Sequence, residues 1–460
     1  MHSAPPKSGY DQALRPQFHF TARTNWINDP NGLFYYRGTY HLFFQHNPEG
    51  IEWGNMTWGH AESRDLVHWH QVSNALLPDA LGTMFSGSAV VDWHNSAGLQ
   101  KGSTPTILLF YTAAGGTSPA STGKPFTQCM AYSTDGGATF TKYAGNPLIQ
   151  ELAGGNRDPK VVWDAEDGRW LMALYLDGDR FEILHSSDLL HWQKLQTVVL
   201  PGCDECPDLF PMMTHRGGRQ YWVMTAANGH YVVGQMVDGK FQFSGAPLVG
   251  DFGPNFYAVQ SWSDISKSDG RRIQIAWMRG GQYPGMPFNG EMSFPCVLKL
   301  HHDSAGLWLS RWPVREISRL YADRHQWNNL TLTTDKPITL APSVGLWDVD
   351  LSVRCPAEAS FTITVNGHDI TYTAATEALT TMNTTAPLAA RKGLVQLRIL
   401  ADVTSLEVYG NRGRTSVTGC VLPVAGSAGI TVTCHGGNCE LVKLTVHSLH
   451  SAWSTGSRPK

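Results

Sequence analysis

Long apolar runs are missing from this chain: nothing in its 460 residues approaches the roughly 18 uninterrupted apolar positions of a membrane-crossing helix, so no membrane partner is expected. The opening segment, MHSAPPKSGY, also lacks the apolar core of a signal peptide. The compartment stays open on this evidence: secreted or periplasmic if a leader was removed ahead of Met1, otherwise cytoplasmic. An excess of one charge is absent too. With 35 basic against 38 acidic residues there is no broad positive field to attract nucleic acid, and a small neutral ligand fits better. Cysteine is sparse, and eight scattered over this length do not make a disulfide scaffold. Helical periodicity is scarce as well, which argues against a helical or alternating α/β fold.

What is present is a succession of short β-rich runs bounded by Gly, Asp, Asn and Pro, the pattern of antiparallel sheet. One run recurs five times, always entered from a turn. It stands at Gly38-Thr-Tyr-His-Leu-Phe-Phe44, at Thr106 to Tyr111, at Gly168 to Tyr175, at Gly218 to Met224 and at Gly270 to Trp277. A second repeat marks equivalent corners: Ser63-Arg-Asp-Leu-Val-His-Trp69 matches Ser186-Ser-Asp-Leu-Leu-His-Trp192, with a looser echo at Ser133 to Phe140. Four-stranded units with long loops account for the spacing, which predicts a five-bladed β-propeller over residues 1–315. Beyond it, residues 316–334 read as a short helical or irregular linker. Alternating strands such as Ser360-Phe-Thr-Ile-Thr-Val365 then predict a β-sandwich over 335–450, and 451–460 read as a flexible tail. A disulfide between two of Cys420, Cys434 and Cys439 is compatible with this, without the pair being fixed. The fold class is all-β throughout.

In a propeller the innermost strands converge on a central channel, so what precedes each repeated strand matters. Ahead of the five stand Asn28-Asp29-Pro-Asn-Gly32, Phe85-Ser-Gly-Ser88, Arg157-Asp-Pro159, Glu205-Cys-Pro-Asp208 and Asp251 to Tyr257. Four of the five carry a carboxylate. Brought together and partly buried, such groups raise at least one pKa, which lets an acid and a base coexist near neutrality. Singly, each motif is ordinary turn or ion-pair chemistry. Cys203-Asp-Glu-Cys206 has CxxC spacing, but no second CxxC or histidine pair completes a zinc site, and neither a metal nor a cofactor is expected.

In combination these motifs resemble glycoside hydrolase family 32, the invertases, inulinases and levanases. The three hallmarks are Trp26-Ile-Asn-Asp-Pro-Asn-Gly32, Arg157-Asp-Pro159 and Glu205-Cys206. Supporting matches occur at Phe43 to Pro48, Trp53 to Ala61, Phe85 to Ser88, Phe256 to Gln260 and Met292 to Pro295. The resemblance covers the propeller, and over the sandwich no specific motif is seen. It implies a retaining β-fructofuranosidase acting on sucrose or fructans from the chain end, with Asp29 as nucleophile, Glu205 as general acid/base and Asp158 holding ring hydroxyls. It also implies a fructose pocket formed by Asn28, Gln45, Trp53, Phe85, Ser86 and Arg157, with Asp251 and Trp277 beside it. Cys206 is expected either to tune Glu205 or only to pack. A fructosyltransferase or dianhydride-forming enzyme using the same intermediate remains an alternative, and so does a non-catalytic fructan-binding protein. Linkage preference and oligomeric state are not legible.

Overall fold

The computed structural model describes residues 9–215, 218–304, 306–340, 345–427 and 429–453. Among them, helix is confined to 3-10 turns at Pro119–Ser121, Arg315–Leu320 and Ala374–Thr376, and no helix is long and apolar enough to cross a membrane. The class is therefore all-β.

The first part of the chain is a series of antiparallel meanders, each built on four strands laid side by side in chain order. They begin with Asn25–Tyr36, Thr83–Asp92, Arg157–Asp164, Asp208–Met213 and Tyr257–Ser261. The repeated run of the sequence is the second strand of each: Thr39–Asn47, Thr106–Ala114, Arg169–Asp177, Gln220–Thr225 and Arg272–Trp277. Most of these second strands are buried on both faces, which is why they read as continuous apolar runs. Each first strand neighbours the next, and Tyr257–Ser261 returns to Asn25–Tyr36. A short strand, Phe288–Asn289, adds parallel to Asn25 and Trp26. This arrangement is consistent with a propeller.

The repeated corners are equivalent in detail. Ser63 Oγ accepts from the Leu66 amide at 2.8 Å, Asp65 Oδ1 accepts from Val67 and His68, and the Trp69 indole donates to the Leu66 carbonyl. Ser186, Asp188, Leu189 and Trp192 repeat these bonds. Leu66 and Leu189 both take positive φ, 66° and 65°, which this side-chain cradle stabilises.

The second part holds two six-stranded antiparallel sheets, consistent with a sandwich. Alternation places Val349, Leu351 and Val353 of one sheet in the same core as Phe361, Ile363 and Val365 of the other, all buried. Cys434 and Cys439 form a disulfide, and Cys420 is free.

Two sequence expectations change. Most of the linker segment is a strand: after the turn Arg315–Leu320, Tyr321–Leu332 pairs along Cys439–Leu449 at the end of a sandwich sheet. An edge strand with nearly every side chain exposed carries no apolar alternation, so its sequence looked irregular. The start of the tail is also packed. Ala452 donates to the Gln17 carbonyl, while Trp453 stacks on Tyr10 at 4.1 Å and donates to the Pro16 carbonyl. The remainder, 454–460, lies outside the described residues.

Candidate active site

Asp29 is aimed by an irregularity. The register of Asn25–Tyr36 against Thr39–Asn47 shifts between Ile27 and Pro30, where proline has no amide to donate, and the bulge turns Asn28 and Asp29 out of the ladder. A similar shift between Phe85 and Gly87 frees Ser86. Asp158 has φ 66°, and Glu205 and Cys206 follow one another at 47° and 41°. Consecutive non-glycine residues in the left-handed region cost roughly 1–3 kcal/mol each, strain that concentrates at functional sites.

The three carboxylates are tied into one network. Asp29 accepts from Asn28 Nδ2 at 2.9 Å and from Ser86 Oγ at 2.6 Å. Cys206 joins the two aspartates: its amide donates to Asp158 Oδ2 at 3.0 Å, and its sulfur lies 3.4 Å from that oxygen and 3.6 Å from Asp29 Oδ2. The thiol thus faces Asp158 and Asp29 and makes no contact with Glu205, which leaves the packing alternative, with Ala227 and Ala258, in place of tuning of Glu205. Glu205 is held from both sides: Arg157 donates to Oε1 from Nε at 3.0 Å and Nη2 at 2.6 Å, and the Tyr257 hydroxyl donates to Oε2. Arg157 also lies over the Tyr175 ring, and Arg279 over the Tyr257 ring, at 4.7 and 4.5 Å.

This network lines a pocket of about 260 Å³. Asn28, Asp29, Gln45, Trp53, Phe85, Ser86, Arg157, Asp158, Glu205 and Trp277, all singled out from sequence, meet there. Trp53 sits at the rim, 55% exposed and edge-on to Phe85 at 6.0 Å, so it is no core ring. Asp251 does not join them. It is buried away from the pocket, accepting from Arg311 Nη2 at 2.6 Å and from the amide and hydroxyl of Thr418 in the sandwich. The other three carboxylates that precede repeated strands do line the pocket, whereas the fold gives this one a buried arginine as its partner. Sequence reasoning missed Met56, Tyr257 and Arg279 as lining residues. Tyr257 lay inside the quoted Phe256 to Gln260 match, whereas Arg279 had no local signal. A larger cavity of about 470 Å³ lies at the sandwich, lined mainly by apolar side chains such as Val365, Leu406 and Val421, and it gathers no carboxylate cluster.

Burial raises Asp29, reinforced by the charge of Glu205 and opposed by Ser86 and Asn28. Burial, with the charges of Glu205 and Asp29, pushes Asp158 up to about 7 despite Arg157. Glu205 goes the other way: burial pushes it up, but the hydrogen bonds from Tyr257 and Arg157 and the charges of Arg157 and Arg279 bring it below the usual carboxylate range. Near neutrality Asp158 is therefore partly protonated, while Glu205 is held towards its ionised form. Elsewhere, His41, His60 and Glu62 form the one group among the described residues with metal-ligand spacing. The two imidazoles are nearly parallel, with Nδ1 and Nε2 facing at 3.0 Å, and they stack on Phe34 and Phe43; this is a buried hydrogen-bonded pair in the first meander.

Comparison with known proteins agrees with this geometry. Residues 19–313 match the model of the glycosyl hydrolases family 32 N-terminal domain, and residues 316–448 match that of the family's C-terminal domain. The levanase of Bacillus subtilis is 36% identical over 98% of this chain and 73% of its own length. The extracellular exo-inulinase of Aspergillus ficuum is 32% identical over 97% of this chain and 96% of its own. Among solved structures, the fructofuranosidase of Schwanniomyces occidentalis complexed with fructosylnystose aligns with a TM-score of 0.84 at 27% identity, covering 98% of this chain and 100% of that one. With the models of both domains matched in succession, this chain belongs to glycosyl hydrolase family 32.

Proposed function

We propose that the pocket binds a terminal β-fructofuranosyl unit and cleaves its glycosidic bond with retention, releasing fructose from the chain end. The chain is a glycoside hydrolase, a β-fructofuranosidase acting on sucrose and fructans. The observation that carries the mechanism is the meeting of Asp29, Asp158 and Glu205, from three different parts of the propeller sequence, in one pocket of about 260 Å³. A pocket of that size suits one sugar ring and exo attack.

Asp29 attacks the anomeric carbon and forms the covalent fructosyl-enzyme, with Ser86 and Asn28 orienting its oxygens. Glu205 protonates the leaving oxygen and then takes a proton from the incoming water. Asp158 accepts ring hydroxyls, and these charge-assisted bonds fix the ring and favour the ionised carboxylate. The proton that Asp158 gives up on binding passes to Glu205, which needs it for the acid role and must loosen its contact with Tyr257 or Arg157 to hold it. No metal or cofactor enters this scheme.

We further propose that the five meanders are five blades around one channel, supported by the contact of the first strand with the last, and that the sandwich begins near 316–321, directly after the 3-10 turn. Incubation with sucrose, inulin and levan is the test: free fructose as sole product is expected, and oligomers or cyclic dianhydrides would instead make the enzyme a transferase. Asp29→Ala and Glu205→Ala are expected to lower turnover by about 10³-fold or more with folding intact. Near-normal turnover in either removes that residue's role, and a wild type that binds levan but never cleaves it makes the protein a binding module.

A further inference from the structure

The sandwich strand Thr415–Cys420 is the last in its sheet, and its free edge is covered by the propeller segment that leads into Tyr257. The Phe252 amide donates to the Ser416 carbonyl at 2.8 Å, the Thr418 amide donates to Asp251 Oδ1 at 3.1 Å, and the Asn255 amide donates to the Thr418 carbonyl at 3.3 Å. Gly253 makes this approach possible: a Cβ there would lie 2.0 Å from the Thr418 oxygen. Beneath, Arg311 donates to Asp251 at 2.6 Å and to Thr418 Oγ1 at 2.8 Å, and its guanidinium lies 4.0 Å over the Phe256 ring.

Asn255 joins this seam to the pocket. Its Oδ1 accepts from the Cys420 amide at 2.8 Å, and its Nδ2 donates to the Arg279 carbonyl at 2.6 Å. Two residues on, Tyr257 donates to Glu205, and Arg279 lies over the Tyr257 ring. One amide side chain therefore links a sandwich strand to the backbones carrying both groups beside the acid/base, while lining no part of the pocket itself.

We propose that Asn255 is a positioning residue through which the sandwich acts on catalysis, holding Tyr257 and Arg279 in register with Glu205. The sandwich is then part of the catalytic apparatus and not only a stabilising appendage. Orientation is the physical reason: misplacing a group beside the reacting bond by about 1 Å can cost about 10²-fold, and a loop docked only on its own blade has fewer constraints than one stitched into a sheet edge.

The inference rests on the pocket being the fructosidase site. The test is steady-state hydrolysis of sucrose by full-length Asn255→Ala, Tyr257→Phe and the double variant, below the unfolding temperature of each. Asn255→Ala is expected to lose about tenfold to a hundredfold in kcat/KM, mostly in kcat, and to move the limb of its kcat/KM profile that reports Glu205 upward, as Tyr257→Phe does. The double variant should lose clearly less than the product of the two single losses, because part of what Asn255 does passes through the Tyr257 hydroxyl. If Asn255→Ala does not fold, Asn255→Asp, which keeps the acceptor for Cys420 and loses the donor to Arg279, is read the same way. An active wild type whose folded Asn255 variant keeps kcat/KM within about twofold, leaves the pH profile unmoved, or loses activity that adds in full to that of Tyr257→Phe overturns the inference alone. A wild type that releases no fructose overturns the reading of the pocket.

Discussion

Replacing Asp158 by asparagine should make the enzyme far slower and, at alkaline pH, more stable. The carboxyl is buried beside two others, and its folded pKa stands at about 7. A carboxyl whose folded value exceeds its unfolded one, near 3.9, contributes most to stability below the unfolded value, and that contribution is lost as pH rises through the folded one. Between roughly pH 4 and 7 the wild type should therefore lose stability that the amide, which does not titrate, retains. At 1.36 kcal/mol per pH interval of one, the upper bound is about 4 kcal/mol, and relaxation and shared titration reduce it. The side-chain oxygen left by Asp158→Asn can still accept the Cys206 amide, so the backbone there keeps its partner. Activity goes the other way. If Asp158 accepts two ring hydroxyls as proposed, two charge-assisted bonds at roughly 1.5–3 kcal/mol each amount to about 3–6 kcal/mol, or about 10²–10⁴ in rate. The wild-type alkaline limb of kcat/KM should fall near 7, reporting loss of the proton shared by the cluster. The assays are urea denaturation of both proteins at about pH 4.5 and 8, which spans most of the window between the two pKa values, and kcat on sucrose. An Asp158→Asn enzyme less stable than wild type at the alkaline end, or one losing less than about tenfold in kcat, refutes the reasoning.

Three other expectations follow from packing and charge. Trp53, exposed at the rim, should contribute binding without chemistry: Trp53→Ala is expected to raise KM about tenfold, roughly 1.4 kcal/mol, with kcat retained, and a fall confined to kcat would contradict its place at the mouth. His19 is fully buried between Asp402 and Glu407, at 2.9 and 3.0 Å; burial alone would lower its pKa, but the two carboxylates raise it to about 10. Because the folded value is raised, its contribution is complete below the unfolded value near 6.5 and is lost as pH rises through about 10. Denaturation midpoints should fall over that window in the wild type and stay flatter in His19→Gln. Removing one partner, in Asp402→Ala, should cost about 3–5 kcal/mol near neutral pH, since it also strips the acceptor from the Gln17, Phe18 and His19 amides.

The sequence spoke most clearly where local rules suffice. Two-faced burial of the second strands wrote apolar runs that recur, and the Ser-x-Asp corners repeat because each needs the same side-chain cradle for a positive-φ leucine. The same rules failed at Tyr321–Leu332, an exposed edge strand whose pairing is set by a partner more than a hundred residues away.

For the site, the three motifs in order carried the family resemblance that pointed to Asp29, Asp158 and Glu205, although each motif alone reads as ordinary turn chemistry, and the structure sets all three at one pocket. Which carboxylate faces which partner is not a local property. Asp251 looked equivalent to the others until the fold set Arg311 and Thr418 against it, Cys206 turned its thiol to the aspartates rather than to Glu205, and Tyr257 with Arg279 came beside Glu205 from a different meander. Those contacts, and the raised pKa of Asp158, depend on distances and burial between segments far apart in the chain. Periodicity and turn chemistry describe each segment alone, so only the packing of the sheets against one another decides them.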